Sequence, residues 1–140
     1  IISQMNSQIS DKRKVQLFTT YRGNLYDDPN INIKDLGNLN FTYTSMTKPT
    51  VIDTLNSFTS EYIKLFGNFP NKDVIRAFDI TTDVILRLSL NNKLIKSFKY
   101  GDQKYIQNTY NFVKDSLGGY INNGFYILKH SDYNVDEIIN

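Results

Sequence analysis

The chain contains no cysteine and no tryptophan, one histidine, one alanine and only three prolines in 140 residues. Without cysteine, disulfides, thiolate nucleophiles and zinc–thiolate sites are excluded together, and both a cytoplasmic and a bacterial-envelope setting stay open. The lone His130 cannot build a histidine-rich metal site, and its place after an apolar run near the C-terminus reads as an ordinary surface position. No apolar run reaches 18 residues, so no segment reads as a transmembrane helix. Charge of one sign is missing too. Sixteen basic against 14 acidic residues leave a net charge of +2, and the lysines are scattered rather than striped. That balance gives no ground for nucleic acid or an anionic membrane as partner.

What is present is a globular composition, 40% hydrophobic and 14% aromatic. A chain of this length buries roughly 68% of its unfolded surface, enough for a core without staples. We therefore expect residues 1–140 to be a single domain or part of one. Asparagine and isoleucine are abundant beside the single Ala77, a bias that fits an AT-rich coding sequence better than any function. The opening Ile1-Ile2-Ser3 has no initiator Met and no signal-peptide pattern, so the sequence reads as an excerpt of a longer protein.

Along the chain, Ile2, Met5 and Ile9 trace one helical face over residues 1–12. Residues 14–19 alternate and are β-rich, which predicts a strand running into the polar loop Thr20-Tyr21-Arg22-Gly23-Asn24. A turn at 27–30, a short helix over 33–39 and a second strand over 39–45 follow. Thr50 is the expected N-cap of the next helix, with Asp53 completing a capping pair. Leu55, Phe58, Tyr62, Leu65 and Phe66 form its apolar stripe, and Gly67 lies just past its end. Asn71 caps a long helix from Lys72 to about Leu90. Residues 91–104 give little signal. Residues 105–113 read as a short helix and then a strand, Leu117-Gly118-Gly119 as a turn, and 120–129 as a strand broken at Asn122-Asn123-Gly124. The tail from Val135 adds a last strand or frays. The whole is an α/β plan, with helices packed on a mostly parallel sheet and an antiparallel hairpin at the C-terminus.

Two sets of residues carry candidate chemistry. Asp79 and Asp83 share one face of the long helix, bracketed by Arg76 and Arg87. With no base, metal ligand or nucleophile beside them, they read as a charge ladder on the one polar strip of a buried helix. The loop after residue 19 is the better ligand-binding candidate, because ligands on such sheets bind beyond the carboxyl ends of strands. There Thr20 offers a hydroxyl, Tyr21 a face for an apolar or sugar surface, and Arg22 a fork for a carboxylate. The phosphate-loop, dinucleotide, nucleophile-elbow and zinc-protease patterns are all missing, so no catalytic residue, metal site or cofactor is expected.

The run Phe58-x-x-x-Tyr62-x-x-x-Phe66-Gly67-x-x-Pro70, followed by Ala77-Phe78-Asp79, resembles the C-terminal part of type 1 periplasmic binding proteins. These are the bilobed receptors that serve ABC transporters for amino acids, and Ala77 stands where that family often has glycine. A closer resemblance is to bacterial envelope proteins that carry such a domain after LysM peptidoglycan-binding repeats. Their R-G-F-D-(L/I)-T-x-D-(V/L)-L-x-R-L and G-G-Y-x-N-x-G-(V/F)-Y-I signatures are similar to residues 76–88 and 118–127.

The resemblance implies a non-enzymatic receptor domain in the periplasm or cell envelope. It would be the C-terminal portion of a bilobed fold that closes on a small ligand, such as an amino acid or a peptidoglycan fragment, in a cleft between lobes. Thr20, Tyr21 and Arg22 inherit a ligand-facing position from it, and peptidoglycan would be engaged through upstream repeats. Two alternatives stand beside this reading: a structural peptidoglycan-associated module with a degenerate cleft, and a small flavodoxin-like enzyme or regulator.

Overall fold

The computed structural model describes residues 1–49 and 56–138. Five α-helices and eight strands follow one another among the described residues. They are α1 (Ile2–Asn6), β1 (Phe18–Thr19), α2 (Ile33–Asn38), β2 (Thr42–Ser45), α3 (Ser57–Phe66), α4 (Lys72–Leu90), α5 (Leu94–Ser97), β3 (Gln103–Lys104), β4 (Thr109–Tyr110), β5 (Phe112–Lys114), β6 (Tyr120–Asn122), β7 (Tyr126–Ser131) and β8 (Asn134–Glu137). By contact the chain groups into two compact units, Ile1–Lys48 with Phe125–Asn140, and Pro49–Gly124.

The first unit holds a four-stranded sheet in the order β1-β2-β7-β8. Only β1 and β2 run parallel; β2 with β7 and β7 with β8 are antiparallel. The class is α/β, with helices and mixed sheets, and the expected mostly parallel sheet is replaced by a mixed one. The reason lies in the connections. The two-residue link Asp132-Tyr133 closes β7–β8 as a hairpin, with Asp132 at φ 51°, and so short a link cannot join parallel strands. An antiparallel hairpin does close the C-terminus, at 126–137, with its turn at Asp132-Tyr133 rather than at Asn122-Asn123-Gly124, where Asn-Gly suits a hairpin turn or bulge.

Strand β7 alternates buried and half-buried residues along its length. Its inner face joins Tyr126 and Leu128 to Phe41, Tyr43 and Leu36 in the core, with Leu17, Tyr26, Ile31 and Val135 packed around them. His130, expected on the surface, lies on this inner face. It is buried against Phe41 and Tyr43 at ring distances of 5.6 and 5.9 Å, because strand alternation carries every second side chain inward. Helix α2 is capped by Asn32, whose side chain accepts from the Lys34 N–H. Its Gly37 presses on the backbone of Asp132; a Cβ there would meet the Asp132 carbonyl oxygen at 2.3 Å, so no larger residue fits. Helix α1 stops at Asn6 rather than running to residue 12, and its place is taken by a turn closed by the Ser10–Arg13 bridge.

In the second unit α3 begins at Ser57 under an Asn56 cap that accepts from the N–H groups of Phe58 and Thr59. The expected cap at Thr50, its partner Asp53 and the stripe residue Leu55 lie outside the described residues. Gly67 ends α3 at φ 74°, the left-handed conformation that lets the chain turn at once. Asn71 caps α4 through the N–H groups of Asp73 and Val74, and α4 runs to Leu90 as the sequence predicts.

Its facing is the reverse of the expected one. The buried positions of α4 are Ile75, Asp79, Asp83 and Arg87, while Ile80, Ile85, Leu86, Leu88 and Leu90 are exposed. Phe78 stacks on Phe58 of α3 at 4.0 Å and still keeps 38% of its surface open. Stability should follow this burial and not the hydrophobicity of the residue. Ile75→Ala is expected to cost about 2–5 kcal/mol, and Ile85→Lys to stay within about 0.5 kcal/mol. Urea unfolding of the two variants checks this; equal losses would contradict the facing of the helix.

Candidate functional site

The inward stripe of α4 is built from the four-residue step that places Asp79, Asp83 and Arg87 one above the other. The Asp79 carboxylate accepts from the backbone N–H groups of Ile106, Gln107 and Asn108 at 3.2, 2.9 and 2.9 Å, and from Asn108 Nδ2 at 2.8 Å. Asp83 accepts from Arg87 Nε, 2.9 Å from both of its oxygens, and from the Tyr105 hydroxyl at 2.9 Å.

Arg87 directs its remaining nitrogens at carbonyls. Nη1 donates to Ser97 at 3.3 Å, and Nη2 to Gly101 and Tyr110 at 3.1 and 3.0 Å. Its guanidinium lies over the rings of Phe98 and Phe112, 5.8 and 5.4 Å from their centroids. A buried charge is tolerated only when its hydrogen-bonding capacity is met, and here the loop backbone meets it. Arg76, expected to pair with Asp79, is exposed instead.

This set of bonds holds the segment after α5. Residues 105–113, expected to open with a helix, instead bend at 106–107 and enter β4 and β5. The N–H groups of residues 106–108 converge on the Asp79 carboxylate. Burial pushes the Tyr105 hydroxyl well above its ordinary value of 10.0, helped by its hydrogen bond to Asp83 and by the negative charge of that group. The Tyr110 hydroxyl is raised as well, by burial first and then by the charge of Asp79. Both phenols stay neutral at physiological pH, and neither is poised as a base. Among the described residues no group of acidic or histidine side chains could hold a metal ion.

At the far end of the unit Asn122 fixes the break in the expected 120–129 strand. Its Oδ1 accepts from the N–H groups of Asn111 and Gly124, and its Nδ2 donates to the Thr109 carbonyl. Strand β6 then pairs with β5, whereas β7 pairs with β2 and β8, so the Asn-Gly step separates two sheets and makes no hairpin.

A cleft lies in the first unit, on the outer side of the sheet. It is an open trough of about 570 Å³ lined by Phe18, Thr19, Thr20, Thr42, Tyr43, Thr44 and Ile127. The register puts Phe18 beside Thr42 and Thr44 beside Ile127, so these four side chains share the face turned away from the core. Three of the hydroxyls are oriented by backbone carbonyls. Thr42 donates to Asn40 at 2.8 Å, Thr44 to Thr20 at 2.9 Å, and Thr19 to Tyr21 at 2.9 Å. Lys129 continues the row of Phe18 and Thr42 one strand further on, opposite the exposed Asp136.

Of the three loop residues singled out by sequence, Thr20 lines this trough. Tyr21 and Arg22 are not part of the lining. Tyr21 is 78% exposed, and Arg22 stands over the Tyr43 ring, 5.4 Å from its centroid. The residues missed by sequence reasoning are Phe18, Thr42, Thr44 and Ile127. Threonines two apart in the strand over 39–45 were the available signal, once that strand is placed parallel to the one before the loop. No protein family, curated protein or solved structure matches the chain.

Asp79→Asn keeps the size of the side chain and removes the charge that gathers the loop amides. We expect about 2–4 kcal/mol of lost stability, from a charge-assisted bond and an amide donor turned toward other donors. Hydrogen exchange at the amides of 106–108 should quicken beyond that seen elsewhere in the protein. Unchanged protection there would contradict the clamping role.

Proposed function

We propose that the chain is a non-enzymatic, receptor-like domain of a bacterial envelope protein that binds a small ligand, such as an amino acid or a peptidoglycan fragment. The observation that carries this reading is the trough on the outer face of β1, β2 and β7, which takes in Thr20 from the loop expected to meet ligand. The resemblance of residues 76–88 and 118–127 to periplasmic-binding-protein-like domains that follow LysM repeats supports the envelope setting.

The side chains that would otherwise suggest catalysis are engaged elsewhere. Asp79, Asp83 and Arg87 are saturated by loop backbone and by each other, which leaves no free acid–base pair in that cluster.

Thermal unfolding of the protein against a panel of amino acids and muropeptides tests the proposal. A ligand at 100 times its Kd stabilises the folded state by about 2.7 kcal/mol, which for a chain of this size is a rise of several degrees. A flat response across the panel would remove the receptor reading and leave a structural module.

A further inference from the structure

We infer that the trough selects a neutral, polyhydroxyl ring, a saccharide rather than a free amino acid; this rests on the ligand-binding reading above. The first ground is hydrogen-bond direction. The hydroxyl hydrogens of Thr19, Thr42 and Thr44 point at the carbonyls of Tyr21, Asn40 and Thr20. A hydroxyl has one hydrogen to donate and two lone pairs with which to accept. Thr42 and Thr44 therefore turn acceptors to the trough, and a ligand satisfies them only by donating. Thr19 adds less, since its oxygen already accepts from the Tyr21 N–H at 3.2 Å.

The second ground is charge. None of the seven lining residues is ionisable in the ordinary pH range, so a ligand carboxylate would meet no cation in the lining. It would face oxygen acceptors instead, which repel it. Arg22 lies over the Tyr43 ring, and Lys129 sits between Thr42 and Asp136 in the sheet register, outside the lining.

The third ground is shape. Phe18 is 64% exposed beside these hydroxyls, although it sits in a strand whose neighbours are buried. An open aromatic face flanked by acceptors matches a sugar ring, which offers apolar C–H groups on one side and hydroxyl donors around its edge. The trough is open and its hydrogen bonds are few, so binding should be weak and fast.

Titration of the ¹⁵N-labelled protein by NMR tests this with four probes: N-acetylglucosamine, glucose, alanine and glutamate. The expected result is saturable millimolar shifts at the amides of Phe18, Thr42 and Thr44 with the two sugars and none with the amino acids. Phe18→Ala, at an exposed position, should fold normally and bind the sugars roughly three- to tenfold more weakly. Thr44→Val, which keeps the shape and removes the acceptor, should weaken them as well. Shifts at the same amides with alanine or glutamate, but not with the sugars, would overturn the saccharide assignment and keep the receptor reading. Sugar-induced shifts elsewhere, or an affinity untouched by Phe18→Ala, would overturn the assignment of the trough. Silence with all four probes would remove both the saccharide and the amino-acid forms of the ligand reading.

Discussion

The second unit depends on a single buried arrangement: three charged side chains of α4 reach into the segment after it, and two of them take up its backbone groups. Asp79 gathers amides, Arg87 gathers carbonyls, and Asp83 holds Arg87 in place while accepting from Tyr105. Each element of this set would be costly alone, because an unpaired charge or an unpaired peptide group in the interior loses several kcal/mol of solvation. Together they satisfy one another. Residues 97–110 contain little regular structure, and their conformation is dictated by the helix rather than by their own pattern.

The same arrangement sets which way α4 faces. With its charges directed inward, the helix leaves its aliphatic side open, from Ile80 to Leu90. Hydrophobic burial and polar satisfaction compete for one helix, and the polar partners win because a loop full of unsatisfied peptide groups has no other source of partners. The first unit is organised in the ordinary way, around aromatic and aliphatic side chains on the inner face of its sheet. Its outer face is left to threonines and Phe18, which is how the trough arises.

Local signals were legible in the sequence and long-range ones were not. Asn71, Gly67 and the apolar period marked α4 and the end of α3 to the residue, because caps and turns are encoded by neighbours. The α/β class and a C-terminal hairpin were legible for the same reason, though not the place of its turn. The mixed sheet was hidden because strand partners lie far apart: β2 pairs with β7, more than 80 positions along the chain. The burial of Asp79 and the course of residues 105–113 were hidden together, since the carboxylate and the amides it binds lie 27 to 29 positions apart. Thr20 was found from its place at a strand end, whereas Phe18, Thr42 and Thr44 join it only through a register that no local pattern fixes.

The charged stripe of α4 acts as a structural clamp on the segment that follows it. A double-mutant cycle on Asp83→Asn and Arg87→Met, read by urea unfolding, tests this most directly. The clamp predicts that each single change is severely destabilising, about 3–5 kcal/mol, because it leaves the other partner buried and unmatched. It also predicts that the double variant loses less than the sum, by a coupling of about 1–3 kcal/mol. Losses that simply add, to within about 0.5 kcal/mol, would contradict it.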